Sequence, residues 1–299
     1  MSDSENLVPG IYEQVLSKKL KSHVDKLLSI NDKKAFLNKL DKAEASSVLS
    51  NYMASILKTC LDIVAEKAKK KDDAGSDDYK LHSQIDFIND LISKIKFPYQ
   101  EEKNTDEILL DRTGQMLLSI ADNDTSFQNN LEAIEAKDLE RPDTSILFSD
   151  LFTGAKADYQ LMSELQKEIK SADEICLLVS FIKYSGFIKI REALNEFTNN
   201  HNHKLYVITT SYIGATDLKA IEEISKLPNT KIKISYDTKI TRLHAKAYIF
   251  KRRSGFSTAY VGSSNISKDA ITTGLEWNVK VTQKELPSIY EKMANTFES

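Results

Sequence analysis

Cysteine is scarce in this chain. Cys60 and Cys176 are the only two among 299 residues. Both sit inside apolar patterns on different expected elements, so they read as buried, reduced thiols, and a cytoplasmic location follows as the expectation. No run of about 18 apolar residues is present, so no membrane span is expected. Residues 1–30 are polar and mixed in charge and lack the core of a signal peptide. Charge of one sign is not in excess either: 41 Lys and Arg stand against 44 Asp and Glu, a net −3. That balance excludes a wholesale nucleic-acid coat protein, yet it leaves room for a local basic cleft, because binding depends on where the charges lie. No internal repeat is found. At this length two domains are the natural expectation, with enough chain to bury a substantial core.

What is present changes character near residue 145. Before it the periodicity is helical. Ile11, Val15, Leu20, Val24, Leu27 and Leu28 approximate one apolar stripe, and Leu49, Met53, Ile56, Leu57, Cys60, Val64 and Ala68 form a clearer one, with Ser46 or Ser47 as an N-cap. Lys69–Asp78 reads as an exposed loop. Leu81–Ile95 reads as a helix that stops before Pro98, and residues 128–138 as a shorter one. ERPDTS over 140–145 reads as a linker. These signals give an all-α N-terminal domain over 1–144.

After 145 the period switches to that of strands. ICLLVSFI (175–182), KLYVITT (204–210), KIKISY (231–236), LHAKAYIF (243–250), STAYVGSS (257–264) and EWNVKV (276–281) are short β-branched or aromatic runs. Helical stretches separate them at Tyr159–Ala172, Gly186–Thr198, Asp217–Leu227 and Leu286–Thr296, the third capped by Thr216 or Asp217. Strands alternating with helices predict an α/β domain over 145–299, its parallel or mixed sheet covered on both faces.

The chemistry gathers at 242–276. Side chains alternate along a strand, so Arg242, His244 and Lys246 share one face of an otherwise apolar run. Taken alone, that pattern also describes an edge strand with a solvated polar face. Gly262-Ser263-Ser264-Asn265 closes the next run with small hydrogen-bonding residues, and Ser267 or Asp269 can start a short helix behind it. Glu276 opens the third run. In order and on consecutive strands, these residues fit a phosphate-transfer pocket, and no dedicated set of metal ligands lies near them. Arg242, Lys239, Lys246, Lys251, Arg252 and Arg253 concentrate positive charge around it, which suits phosphate contacts. Lys251–Arg253 equally describe a solvated hairpin tip before Ser254-Gly255. His201 and His203 fall in the polar loop NNHNHK and read as solvated; His23 and His82 read as structural or surface residues of the helical domain.

The pattern HAK…GSSN…EWN resembles the phospholipase D superfamily, whose signature is His-x-Lys, then an Asp, then a Gly-Ser/Asn segment. It looks most like the nuclease branch that includes metal-independent restriction endonucleases. FIKYSGF (181–187) and TTSYIGATD (209–217) fit the same likeness, which covers roughly 145–299. The opening segment LVPGIYEQVLSKKLKSHV resembles the start of large bacterial helicases that carry such a domain. The family's Asp falls at Lys251, and the Asn segment is one residue shorter than in lipid-processing members. Both departures match the restriction-type branch, in which a Glu at the position of Glu276 completes the site.

The resemblance implies a phospholipase D-like mixed sheet flanked by helices, acting as a DNA endonuclease without metal or other cofactor. His244 would be the nucleophile and form a phosphohistidine. Lys246, Asn265 and Ser263 would hold the non-bridging oxygens, and Glu276 would bond the imidazole. Arg242, Lys251, Arg252 and Arg253 would contact the substrate. Members commonly draw their general acid from a second copy of the motif. One copy here therefore implies a homodimer with a composite site. The partners implied are DNA, a second copy and a helicase or ATPase domain in this or a longer chain, with no membrane. The alternative is an inactive module kept for dimerisation or DNA tethering. Lipid hydrolysis would want a duplicated motif or an apolar docking face, and neither is seen.

Overall fold

The computed structural model describes residues 15–29, 35, 37, 39–71, 77–95, 108–118, 141–155, 159–236, 243–272 and 274–299. It divides into two compact units, Met1–Leu118 and Ser119–Ser299. The short helix expected over 128–138 lies outside the described residues, as do Lys239 and Arg242.

The first unit holds α1 (Lys18–Ser29), α2 (Ala45–Lys71) and α3 (Asp77–Lys94). Gln84 of α3 donates to the Leu61 carbonyl of α2, and Asn89 bonds both the N–H and the C=O of Leu110. The expected cap at Ser46 or Ser47 is not used: α2 already starts at Ala45, so both serines sit in its first turn. By length and composition alone, Ala45–Ala68 is apolar enough to cross a membrane. No uninterrupted apolar run is visible there because Asn51, Lys58, Asp62 and four serines break it.

The second unit is built on a mixed seven-stranded sheet in the order β1-β7-β6-β5-β2-β3-β4. Its elements are β1 (Asp150–Phe152), α4 (Leu161–Ser171), β2 (Glu174–Val179), α5 (Tyr184–Thr198), β3 (Lys204–Thr210), α6 (Leu218–Ser225), β4 (Thr230–Ser235), β5 (Lys246–Lys251), β6 (Thr258–Gly262), α7 (Lys268–Thr272), β7 (Asn278–Thr282) and α8 (Pro287–Glu298). β2, β3 and β4 run parallel, while β5 is antiparallel to both β2 and β6. β1 was not expected: three residues carry too little alternation to show a period.

One face of the sheet carries the main core, where Leu177, Tyr248, Phe250 and Tyr260 meet Leu165, Phe187, Ile190 and Ile271. The other face carries a smaller cluster of Cys176, Ile249, Ala259, Val281 and Tyr290, packed by α8. Cys176 is buried, and burial pushes its thiol up to about 12; Cys60 is half-buried.

Polar groups thread the main core. Along α4 the inward positions are Leu161, Glu164, Leu165, Glu168 and Ile169, a helical stripe with two carboxylates in it. Lys280 reaches Glu164 at 2.8 Å and Glu168 at 3.3 Å, with all three side chains fully buried. Arg252 pairs with Glu168, and the Tyr260 hydroxyl donates to both glutamates. Asp143 and Thr144, expected in a linker, instead donate their N–H groups to Glu164. Burial alone would raise the Glu168 carboxyl, but Arg252 and Lys280 outweigh it and hold it below the usual range.

Lys280→Ala leaves the buried Glu164 without a cation and Glu168 with Arg252 alone, and should cost about 3–5 kcal/mol. Urea unfolding followed by fluorescence of Trp277, the single tryptophan, reads this unit. Because the folded carboxyl of Glu168 lies low, its contribution is full above the ordinary glutamate value near 4.5 and fades as the pH falls below it. The gap between wild type and variant should therefore narrow in acid.

Candidate active site

The ladder registers bring four strand ends to one place. Val179 ends β2 opposite Lys246, which starts β5. Ala247 faces Val261 and Gly262 faces Asn278, so the end of β6 and the start of β7 complete the group. His244 lies two residues before β5, Asn265 three past β6 and Glu276 two before β7. The structure thus gathers the motif residues at one end of the sheet. Arg242 lies outside the described residues.

Lys246, Tyr248 and Phe250 alternate onto the main-core side of β5, and Lys246 is 7% exposed. Its ammonium lies against the imidazole of His244, 3.0 Å from Nδ1 and 3.3 Å from Nε2, and also donates to the His244 carbonyl at 3.0 Å. Burial lowers the Lys246 pKa, and the negative charge of Glu276 opposes that shift. Burial and the same charge together push the Tyr248 phenol well up. Glu276 therefore acts on Lys246 and Tyr248. Among the described residues no hydrogen bond joins it to His244, so the expected Glu276–imidazole bond is replaced by a Lys246–imidazole contact.

Asn265 is nearly buried, and its Oδ1 accepts from the Phe181 N–H at 3.1 Å. Its Nδ2 has no hydrogen-bond partner among the described residues, which leaves two donors at the site. The anchor depends on a close approach of backbones. Lys183 N–H donates to the Ile266 carbonyl at 2.8 Å, and a Cβ on Gly186 would stand 2.6 Å from Ser267. Ser263, expected to hold phosphate oxygens, has its hydroxyl engaged by the Trp277 backbone: Oγ accepts from the Trp277 N–H at 3.1 Å. Its neighbour Ser264 is the buried one.

The basic run does not reach the site. Lys246 and Lys251 are five residues apart on one strand, about 17 Å. At the far end Lys251 pairs with Glu174 at 2.8 Å and Glu298 at 2.7 Å. Arg252 is spent on the buried Glu168, and Arg253 pairs with Asp173 at 3.0 Å. Lys251, Arg252 and Arg253 were expected to contact substrate; here all three are engaged in ion pairs at the end of β5 away from His244. Burial alone would lower the Lys251 pKa, but its two carboxylate partners raise it. Asp217 also differs from expectation. It stands at the start of α6, but its carboxylate accepts from the Tyr184 N–H and so caps α5. His203 is no free loop residue either, since it stacks on Phe197 with centroids 4.6 Å apart. Its loop precedes β3, whose first residue pairs with Glu174, the partner of Lys251, so it lies at the end of the sheet opposite the site.

The residues that sequence reasoning missed are Tyr248 and Asn278. Tyr248 hydroxyl donates to the Ser264 carbonyl at 2.9 Å, and Asn278 Nδ2 donates to Ser264 Oγ at 2.8 Å. The available signal was spacing. Tyr248 follows Lys246 by two residues and Asn278 follows Glu276 by two, so each repeats its neighbour's side of the sheet.

This geometry sets the comparisons with known proteins. The family described as "Cardiolipin synthase, PLD-like domain" matches residues 165–299. Residues 165–299 belong to the phospholipase D-like domain family. Its superfamily is one of phosphodiesterases. Among solved structures, NucT from Helicobacter pylori is 20% identical, with a TM-score of 0.37 over 50% of this chain and 96% of its own. Nuc from Salmonella typhimurium, a phospholipase D family member, is 19% identical, with a TM-score of 0.38 over 50% of this chain and 91% of its own. Yeast tyrosyl-DNA phosphodiesterase is 11% identical, with a TM-score of 0.30 over 44% and 31%. No curated protein matches the chain.

Gly262 is where the phospholipase D-like site tolerates least. A Cβ there would stand 2.1 Å from the Trp277 carbonyl oxygen and 2.5 Å from Asn278 Oδ1. Gly262→Ala should cost at least about 1–3 kcal/mol, read as a lowered melting temperature, because β6 and β7 must part to admit it.

Proposed function

We propose that this domain cleaves DNA phosphodiesters through a covalent phosphohistidine on His244, in a composite site completed by a second copy of the chain. The observation that carries the reading is the grouping of His244, Lys246, Asn265 and Glu276 at one end of a phospholipase D-like sheet, with Lys246 in contact with the imidazole. A ring nitrogen of His244 attacks phosphorus, forming a P–N bond as the bond from phosphorus to the leaving oxygen breaks. Lys246 and the Nδ2 donors of Asn265 receive the charge that grows on the non-bridging oxygens, the role a divalent cation plays in other phosphodiesterases. Water then attacks the phosphohistidine, the P–N bond breaks, and His244 is regenerated. Glu276 keeps the lysine charged beside the imidazole.

The leaving oxygen needs a proton, and the attacking water must lose one. His244 cannot do either while bonded to phosphorus. His201 and His203 belong to the far end of the sheet. A second His244, delivered across a two-fold axis, would serve as acid and then as base.

DNA is preferred over lipid because the shorter Asn segment and the Glu at 276 resemble the nuclease branch. The Lys at 251 does not argue for lost activity, since its ion pairs with Glu174 and Glu298 give it a structural role. The likeness of the opening segment to helicase-linked proteins supports a place in restriction or defence.

Plasmid and short oligonucleotides should be cut in excess EDTA, and His244→Ala should abolish cutting. A denaturing gel of wild type quenched during turnover should show an oligonucleotide-protein adduct. Strict dependence on Mg²⁺, or cleavage surviving His244→Ala, would sink the mechanism. Mixing equal amounts of wild type and His244→Ala tests the shared site. At constant total protein, activity should fall to about one quarter if both subunits must be intact, and to about one half if each acts alone.

A further inference from the structure

Ser264 is held at every polar atom it has. Its N–H donates to Asn278 Oδ1 at 3.4 Å, and its carbonyl accepts from the Tyr248 hydroxyl at 2.9 Å. Its hydroxyl accepts from Asn278 Nδ2 at 2.8 Å and donates to the Ala270 carbonyl at 3.3 Å. Ser264, Tyr248 and Asn278 are each no more than 1% exposed. Nothing in this arrangement touches the reacting atoms, and a turn at the end of β6 needs no such bracing merely to turn. The next residue is Asn265. Its Oδ1 is pinned by the Phe181 N–H, so the direction of its free Nδ2 is set by the peptide that Ser264 shares with it.

We infer that Asn278 and Tyr248 form a positioning clamp: they fix Ser264 so that Asn265 presents its amide donors at one orientation to the phosphodiester. The inference rests on the proposed reaction, because the donors must meet charge that develops on phosphoryl oxygens. Gly262 belongs to the clamp, since its missing Cβ is what lets Asn278 Oδ1 come close. The clamp is tied to β5 through Tyr248 and to β7 through Asn278, the two strands that also carry Lys246 and lead from Glu276. The lysine, the amide and the carboxylate are thereby referred to one frame.

The test uses full-length protein and two substrates, bis(p-nitrophenyl) phosphate and an oligonucleotide. Asn278→Ala should lower kcat by about tenfold to a hundredfold with KM nearly unchanged, as a donor misplaced by about an ångström does. Tyr248→Phe keeps the ring in the core and should show a smaller loss of the same kind. In an Asn265→Ala background neither change should cost anything further, because the clamp acts through Asn265. An independent readout is amide-resolved hydrogen exchange at Phe181, whose N–H is bonded to Asn265. It should speed by about fivefold in both clamp variants while Leu177 in β2 stays unchanged.

A kcat equal to wild type in the clamp variants, or losses that add to that of Asn265→Ala, would overturn the inference. Should Asn278→Ala fail to fold, Tyr248→Phe decides. Should wild type cleave neither substrate, the proposed function fails, and Phe181 exchange still decides the clamp: accelerated exchange supports it and unchanged exchange refutes it.

Discussion

Lys280, Glu164 and Glu168 meet with no access to water, and the rest of the phospholipase D-like domain is arranged around them. Such a group is a poor source of stability, since desolvating the charges costs about as much as their attraction returns. What it supplies is register. The glutamates come from α4, Lys280 from β7, Tyr260 from β6, and Arg252 from just past β5. A slip of one residue in β7 would turn Lys280 toward the face packed by α8 and leave the carboxylates without their central cation. The same slip would turn Asn278 and Glu276 away from the site. Glu276, Asn278 and Lys280 alternate in sequence toward one side of the sheet, so one buried lysine fixes where the clamp and Glu276 can be.

The elements of this unit were legible because each obeys a simple period. The six longer strands and four longer helices fall within a few residues of where alternation and apolar stripes put them. β1 escaped because three residues cannot show a period. The ion network escaped for a different reason. Glu164 and Glu168 are spaced as surface residues often are, and only their position inside the stripe of Leu161, Leu165 and Ile169 marks them as buried. Charge is normally a sign of exposure, so an apolar stripe that includes two carboxylates implies buried cations on the strands it packs against.

The site was legible as a list and illegible as a shape. His244, Lys246, Asn265 and Glu276 are drawn together, as motif spacing implied. The basic residues 251–253 are not, because nearness in sequence along a strand is distance in space. Lys246 and Lys251 bracket the same strand and show how environment divides one residue type into two roles. Lys251 has two carboxylates to itself and is raised in pKa. Lys246 is lowered by burial, with only one carboxylate's field opposing it and an imidazole and a backbone carbonyl as its partners. A cation already neutralised by two neighbours has little to offer an arriving phosphate, whereas one held by a ring nitrogen and a backbone carbonyl keeps its charge for it.

That contact between Lys246 and the imidazole also bears on the order of events. With the ammonium 3.0 and 3.3 Å from the two ring nitrogens, the lysine leans on the ring that is proposed to attack phosphorus. A phosphodiester entering the site carries the charge that would draw it away, since an ionised oxygen is a far stronger acceptor for an ammonium than a ring nitrogen is. On the proposed mechanism, substrate thereby draws the lysine from the ring to its own oxygens. The donors of Asn265 do not have to move, being fixed through Ser264 before substrate arrives. His244 is exposed at rest, and a site with one mobile charge and one fixed amide meets the transition state with part of its hydrogen bonding already in place.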